Sequence, residues 1–442
     1  MVEFNRVLVG SLFLAVMLSV TLAWASGSGT APSLVRAGTS SQAARTPTTL
    51  ARGGTGSRAA GGSTFYYYFP VINNNTIIPP LAPLWRFGIA RVRRPITDYN
   101  ATEVTLMRFG WYVDWGAGGS DLPTFGMEYV PTIRVRQLKL NGLTPTASSC
   151  YGCPYVTPYT YTLSLSAAQI QSFVSSRHPG MMWVIGNEIE RRDWPGGGQD
   201  EIVPELYAQA YHDAYLMIKS ADPTAQIAIG GVIEATPLRL QYLERVWNEY
   251  STRYGGVMPV DVWNVHAFIL PEKSCATYPG DCWGADIPAG LPDASGSIYT
   301  PAQNKDFNIA IGHIQAMRAW MKNHGQQSKP LIITEYGVNF ASWWDPSIFS
   351  AEQVRDSYMY PSFNYFLNSP DCNLSQIDGC RLVQRWNWYS MDDDSPDSYG
   401  FQAYNGNLFY SGLQATPAGL STLGAYWRQY VQPLPPGSVK PY

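Results

Sequence analysis

From residue 84 onward, short apolar, β-branched or aromatic runs alternate with segments of helical periodicity. That alternation restricts the chain to repeated βα units around a parallel sheet. Eight runs can be counted: 84–90, 109–115, 128–135, 181–187, 226–232, 260–268, 331–337 and 382–390. Eight is the number at which parallel strands close into a barrel. The segments between them behave as crossover helices. Pro204 stands where a first helical turn would open, and Tyr207, Tyr211, Ala214 and Ile218 then recur on one face. Phe307, Ile311, Ile314, Met317 and Met321 repeat the pattern before the seventh run, and 422–430 supplies a closing helix. The first connection, around 102–107, is short and weakly patterned. The expectation is an α/β fold, a single (β/α)8 TIM barrel over residues 84–442.

What precedes residue 84 reads differently. Arg6, an apolar run over 7–22 and the small-residue pattern "AWA" at 23–25 have the form of an export signal peptide over 1–25. An uncleaved anchor is the competing reading, because the apolar run approaches spanning length, and only then would the chain meet a membrane. Residues 26–64 are rich in Gly, Ser, Thr, Ala and Arg, a composition that cannot offset its ordering entropy and so predicts a flexible linker. The stretch 65–83, beginning "FYYYFPVI", is expected to be an ordered lead-in.

The chain of 442 residues can bury a large core, yet only 14% of it is charged while 14% is aromatic, with 15 Trp and 29 Tyr. That balance suits a secreted protein with a neutral, flat-faced ligand. A net charge of −3, without a Lys/Arg cluster, excludes a nucleic-acid footprint. The six cysteines fall as Cys150/Cys153, Cys275/Cys282 and Cys372/Cys380, which predicts three local disulfides in an oxidising compartment. "CYGC" has no second ligand pair at zinc spacing, and the five His are scattered, so neither a catalytic metal nor a cofactor is expected.

The charge that does occur is placed pointedly. "MWVIGNEIERRDW", from Met182, passes from an apolar run into Asn187, Glu188, Glu190, Arg191, Arg192 and Asp193. In a barrel the chemistry sits at the C-terminal ends of the strands. The fourth run ends "GNE" and the seventh "TEYG", so Glu188 and Glu335 are expected to face a common mouth.

An Asn-Glu ending the fourth strand and a Glu ending the seventh resemble clan A of the glycoside hydrolases, the retaining (β/α)8 glycosidases. The resemblance spans roughly residues 84–432 and implies Glu188 as general acid/base, Glu335 as nucleophile and Asn187 as the partner of a sugar 2-hydroxyl. Retaining cleavage needs two carboxyl groups about 5–5.5 Å apart, one ionised and one protonated. An ideal strand points Asn187 and Glu188 to opposite faces, so both serve one site only if the strand curls at its end.

Further candidates lie at other strand ends. His266 ends the sixth run, where clan members place a His or aromatic residue near the nucleophile. Trp388 resembles the clan's sugar-stacking Trp, with Trp386 its same-face neighbour. Asp114 and Trp115 end the second run, Tyr336 follows Glu335, and Arg86 in the first needs a carboxylate partner such as Glu335. Each of these has a packing role as its alternative. Glu190, Arg191, Arg192 and Asp193 are read as mutual ion pairs on the rim, and Glu190 as the competitor of Glu188. Trp194, Trp283, Trp343 and Trp344 are candidate stacking surfaces, half of them expected to cap the core. "DDDSPD" at 392–397 reads as a solvated turn rather than a Ca²⁺ loop.

The sequence therefore predicts a secreted, monomeric retaining β-glycosidase acting on a poly- or oligosaccharide. The alternative is a carbohydrate-binding surface protein that keeps the cleft without turnover. A serine esterase is excluded, because no G-x-S-x-G elbow occurs in the chain.

Overall fold

The fold is α/β with a parallel sheet, and in the computed structural model the description covers residues 82–147, 150–192, 198–274, 277–278, 283–292, 296–339, 349–393, 406–409 and 419–436. Eight strand positions follow in chain order: β1 (Leu84–Ala90), β2 (Phe109–Val113), β3 (Glu128–Tyr129, resumed at Thr132–Ile133), β4 (Met182–Asn187), β5 (Gln226–Gly231), β6 (Trp263–Val265), β7 (Leu331–Tyr336) and β8 (Arg385–Trp388). Pro131 has no N–H to give the ladder, so β3 is interrupted there. Its first half pairs with β2 and its second with β4. β4 pairs with β5, bridges at Ala228/Val262 and Val232/Val265 join β5 to β6, and β6–β7, β7–β8 and β8–β1 follow, all parallel. With β1 paired to β2, the pairings return to their start.

The helices are α1 (Ala101–Met107), α2 (Ala167–Ser175), α3 (Pro204–Ala221), α4 (Pro237–Tyr254), α5 (Phe307–Asn323), α6 (Ala351–Val354), α7 (Tyr360–Asn368) and α8 (Thr422–Val431); one π turn, Arg355–Met359, joins α6 to α7. Pro204 opens α3, and Tyr207, Tyr211, Ala214 and Ile218 are buried on it as the periodicity requires. Between β2 and β3 there is only a 3₁₀ turn, Pro123–Phe125, where the barrel reading expects a helix. The stretch from Gly116 to Gly126 holds four glycines and a proline, too many breakers for a helix. Two antiparallel pairs in the segment after β3 escaped the sequence reading: Val135–Gln137 with Tyr161–Leu163, and Lys139–Asn141 with Thr144–Thr146. The second turns at Gly142-Leu143, where Gly142, first of the two loop residues, has φ +63°.

Side chains of the strands alternate between two layers. Met182 and Val184 of β4 join Trp111, Val113, Val130, Ala228, Val262 and Ile332 in one cluster, enclosed by the strands. Trp183 and Ile185 join the large cluster that packs strands against helices. Arg385 of β8, buried and ion-paired to Glu128 at 3.0 Å, lies over the rings of Trp85 and Trp111 and closes the N-terminal end of the strands. Disulfides join Cys150 to Cys153 and Cys372 to Cys380. Signal peptide, linker, lead-in up to residue 81, Cys275/Cys282, Trp194, Trp343, Trp344 and 394–397 lie outside the described residues. Among the described residues, no helix is long and apolar enough to cross a membrane.

Candidate active site

β4 leaves the extended conformation at its C-terminal end. Gly186 has φ +93°, where an added Cβ would meet Ile189 Cγ2 at 2.4 Å, so only glycine fits. Glu188 itself is left-handed, with φ +46°, an uncommon state for a non-glycine residue. The curl releases Glu188 from the alternation of the strand. It is held from both sides. Asp200 Oδ2 accepts from the backbone N–H groups of Asn187 (2.8 Å) and Val135 (2.9 Å). On the far side, Glu190 accepts from Ile233 N (3.0 Å) and from Arg239 Nε (2.8 Å).

Glu335 arrives from β7, beside His266 at the end of β6. Backbone bonds fix the three strand ends together: His266 N–H donates to Val232 O and Ala267 N–H to Glu335 O. His266 stands between the two glutamates, Nδ1 3.6 Å from Glu188 Oε1 and Nε2 3.6 Å from Glu335 Oε1. One oxygen of each carboxylate and one imidazole nitrogen all lie within 4.8 Å of one another. Glu188 is 4% exposed and Glu335 5%, so the pair is dry but reachable. Among the described residues this is the one group spaced to hold a metal ion, but the Arg191 guanidinium 3.0 Å from Glu188 opposes a cation. The two carboxylates thus flank one imidazole, whose ring nitrogens have no hydrogen-bond partner among the described residues.

Solved structures to which the chain is similar include glycoside hydrolases, at low identity. A family 128 (subgroup I) endo-β-1,3-glucanase from Amycolatopsis mediterranei matches with 14% identity and TM-score 0.41, over 78% of this chain and 99% of that one. A monomeric β-xylosidase from Caulobacter crescentus matches with 12% identity and TM-score 0.43, over 80% and 69%. An endo-β-1,4-mannanase from Thermotoga petrophila matches with 12% identity and TM-score 0.38, over 80% and 76%. No family model matches the chain, and no curated protein matches it in sequence.

The electrostatics of the pair depart from the expected roles. Burial alone would raise Glu188, but Arg191 and then His266 outweigh it and hold the carboxyl well below its usual range. Burial pushes Glu335 up to about 7 and the charge of Glu188 adds to it, against His266 and the Trp115 hydrogen bond. His266 is raised: burial opposes its charge, but Glu335 and Glu188 favour it more strongly. The two carboxyl groups are thus pushed in opposite directions, Glu188 down and Glu335 up.

Trp115 belongs to the site in a way the sequence did not reveal. Its indole N–H donates to Glu335 Oε1, from a left-handed backbone of φ +54°. Asp114 is a brace for that turn: it accepts from Arg91 (2.6 Å), Tyr129 (2.6 Å) and Gly116 N (3.2 Å).

Four predicted residues are not brought to the pocket. Arg86 pairs with Asp378 at 2.5 and 2.6 Å and donates to Gln384 O, at the N-terminal end of the strands, because it lies too early in β1 to reach the mouth. Trp386 and Trp388 do share a face, but it is the one toward the helices. Trp388 is fully buried, donates to Gly406 O and packs on Tyr336 and Trp427. Trp386 packs on Phe87 and Phe366. Tyr336 lies in the same layer, its ring against Phe366.

The rim ion pairs are also rearranged. Glu190 is fully buried on Arg239, which also binds Glu272, so its carboxylate is committed away from the pocket. Arg191 pairs with Glu188 instead, and Arg192 stands 4.0 Å from Asp286. Asp193 lies outside the described residues, while Trp283 is half-buried with Lys273 over its ring.

Proposed function

We propose that this chain is a retaining glycoside hydrolase that cleaves β-glycosidic bonds of a poly- or oligosaccharide by double displacement, on a (β/α)8 barrel. The observation that carries the reading is the approach of Glu188 and Glu335, from the ends of β4 and β7, to within 4.8 Å of one another and of His266 in one buried pocket. Carboxyl groups this close suit direct attack at the anomeric carbon rather than the wider spacing, about 6.5–9.5 Å, at which one activates an attacking water. Glu335 attacks that carbon and expels the leaving oxygen, which takes its proton from Glu188. Glu188 then removes a proton from water as the water displaces Glu335. Trp115 hydrogen-bonds the attacking carboxylate, and His266 is the conduit along which the proton moves between the two. Asn187, at the strand end, would meet the sugar's 2-hydroxyl.

Export by a cleaved signal over 1–25, a linker over 26–64, a barrel domain over 84–442 and action as a monomer complete the proposal. The sparing use of charge supports a neutral glycan, and the disulfides suit an oxidising compartment. The test is release of reducing ends from manno-, gluco-, galacto- and xylo-configured β-glycans. Turnover on at least one, lost by orders of magnitude in Glu335→Gln, is expected; binding without turnover at any pH would instead support a carbohydrate-binding protein.

A further inference from the structure

Arg191 lies one turn after Glu188, its backbone N–H donating to Glu188 O at 3.1 Å. Its guanidinium bridges two loops: Nη1 reaches Glu188 Oε2 at 3.0 Å, and Nη2 reaches the Gly284 carbonyl, beyond β6, at 2.7 Å. The other oxygen of Glu188, Oε1, faces His266. One oxygen of the carboxylate is thus hydrogen-bonded to a guanidinium, while the other faces the imidazole at 3.6 Å without a hydrogen bond. The guanidinium is also incompletely held, because its buried Nε–H has no partner among the described residues. A buried donor left unmatched suits a side chain that has a second position.

We propose that Arg191 is a latch on the general acid: in the substrate-free chain it clamps Glu188 to the loop after β6, and the sugar on the leaving-group side displaces it before Glu188 takes up the proton. This rests on the glycosidase reading and adds a control to it. The groups facing Glu188 are Arg191 from its own loop, His266 from β6 and Glu335 from β7, while the buried Glu190 of the same loop is paired with Arg239 of α4. Arg191 is therefore the group whose withdrawal changes where the shared proton resides. When it leaves, one proton passes from Glu335 through His266 to Glu188. The transfer adds and removes no charge, and it leaves Glu335 ionised for attack and Glu188 protonated for leaving-group departure. The clamp thereby keeps the pair in its unproductive state until a sugar occupies the cleft.

The experiment is a carboxyl ¹³C NMR titration of the substrate-free protein labelled at glutamate, with Glu188→Gln to assign the signal. Arg191→Gln should raise the Glu188 midpoint by roughly 1–3 pH units, the effect of removing an adjacent guanidinium, whereas Arg191→Lys should keep it low. Arg191→Met is a second neutral variant should the first fail to fold. A Glu188 midpoint unmoved in a folded neutral variant overturns the latch. Because no turnover is read, this failure is separable from failure of the glycosidase reading, which would appear as absence of cleavage in wild type.

Discussion

The indole N–H of Trp115 donates to Glu335 Oε1 across 220 residues of sequence, from a left-handed turn braced by Asp114. Glu335 is thus hydrogen-bonded by a neutral donor, with His266 3.6 Å away. A neutral donor orients a carboxylate without fully offsetting its burial, which is why Glu335 stays high.

Trp115→Phe keeps the ring and removes the donor. A hydrogen bond to a charged group contributes about 1.5–3 kcal/mol, so kcat/KM should fall roughly 10- to 150-fold. Because that bond lowers Glu335, its loss should move the ionisation of Glu335 to higher pH, seen as an upward shift of the acidic limb of the pH–rate profile. An unmoved limb would remove Trp115 from the site.

Glu188→Ala should cost far more on glycosides with poor leaving groups than on activated aryl glycosides, because only the former need a proton donor. Azide should restore part of the turnover on the activated substrate. Equal losses on both substrate types would count against the acid/base role.

Trp388→Ala tests the correction made to that residue. A fully buried Trp packed on Tyr336 and Trp427 should cost about 3–5 kcal/mol in denaturant unfolding when truncated. The milder Trp388→Phe should leave KM within about twofold of wild type. A large KM increase in the Phe variant, with stability intact, would restore the sugar-stacking role.

Eight strand positions were legible because runs buried on both faces are long, apolar and regularly spaced by helical patterns. That same two-sided burial hid the facing of β8. Trp386 and Trp388 share a face by parity, but composition does not say which face of an all-apolar strand looks inward. The partners of Arg86 and Glu190 were illegible for another reason, since Asp378 and Arg239 lie 292 and 49 residues away. The two glutamates were legible because ordinal position along the strands stands in for space. The hairpin at Gly142-Leu143 did have a local signal, the glycine favoured at the first position of a two-residue turn.

Arg239 is buried between Glu190 and Glu272, with Glu234 close by. Arg239→Met leaves these carboxylates without their cation and should cost about 3–5 kcal/mol at pH 7. The cost should shrink at pH 5, where carboxylates neutralise more readily. Burial, then the charge of Glu272, raise Glu234 well above its ordinary value, with Arg239 opposing. Its folded value thus exceeds its unfolded one, so its contribution is complete below the unfolded value and is lost as pH rises toward the folded one. Urea unfolding of Glu234→Gln should therefore gain on wild type between pH 5 and 8. An identical pH slope in the two proteins would contradict the assignment.

Trapping of the glycosyl-enzyme tests the central claim most directly, because the directions in which the pair is pushed, Glu188 down and Glu335 up, run opposite to the proposed roles. A 2-deoxy-2-fluoro glycoside with an activated leaving group, in the configuration the protein cleaves, slows release of the covalent intermediate. Peptide mass spectrometry should then find one glycosyl group on the peptide carrying Glu335, and none in Glu335→Gln. A label on Glu188, or inactivation with no covalent label on either glutamate, would contradict double displacement by Glu335.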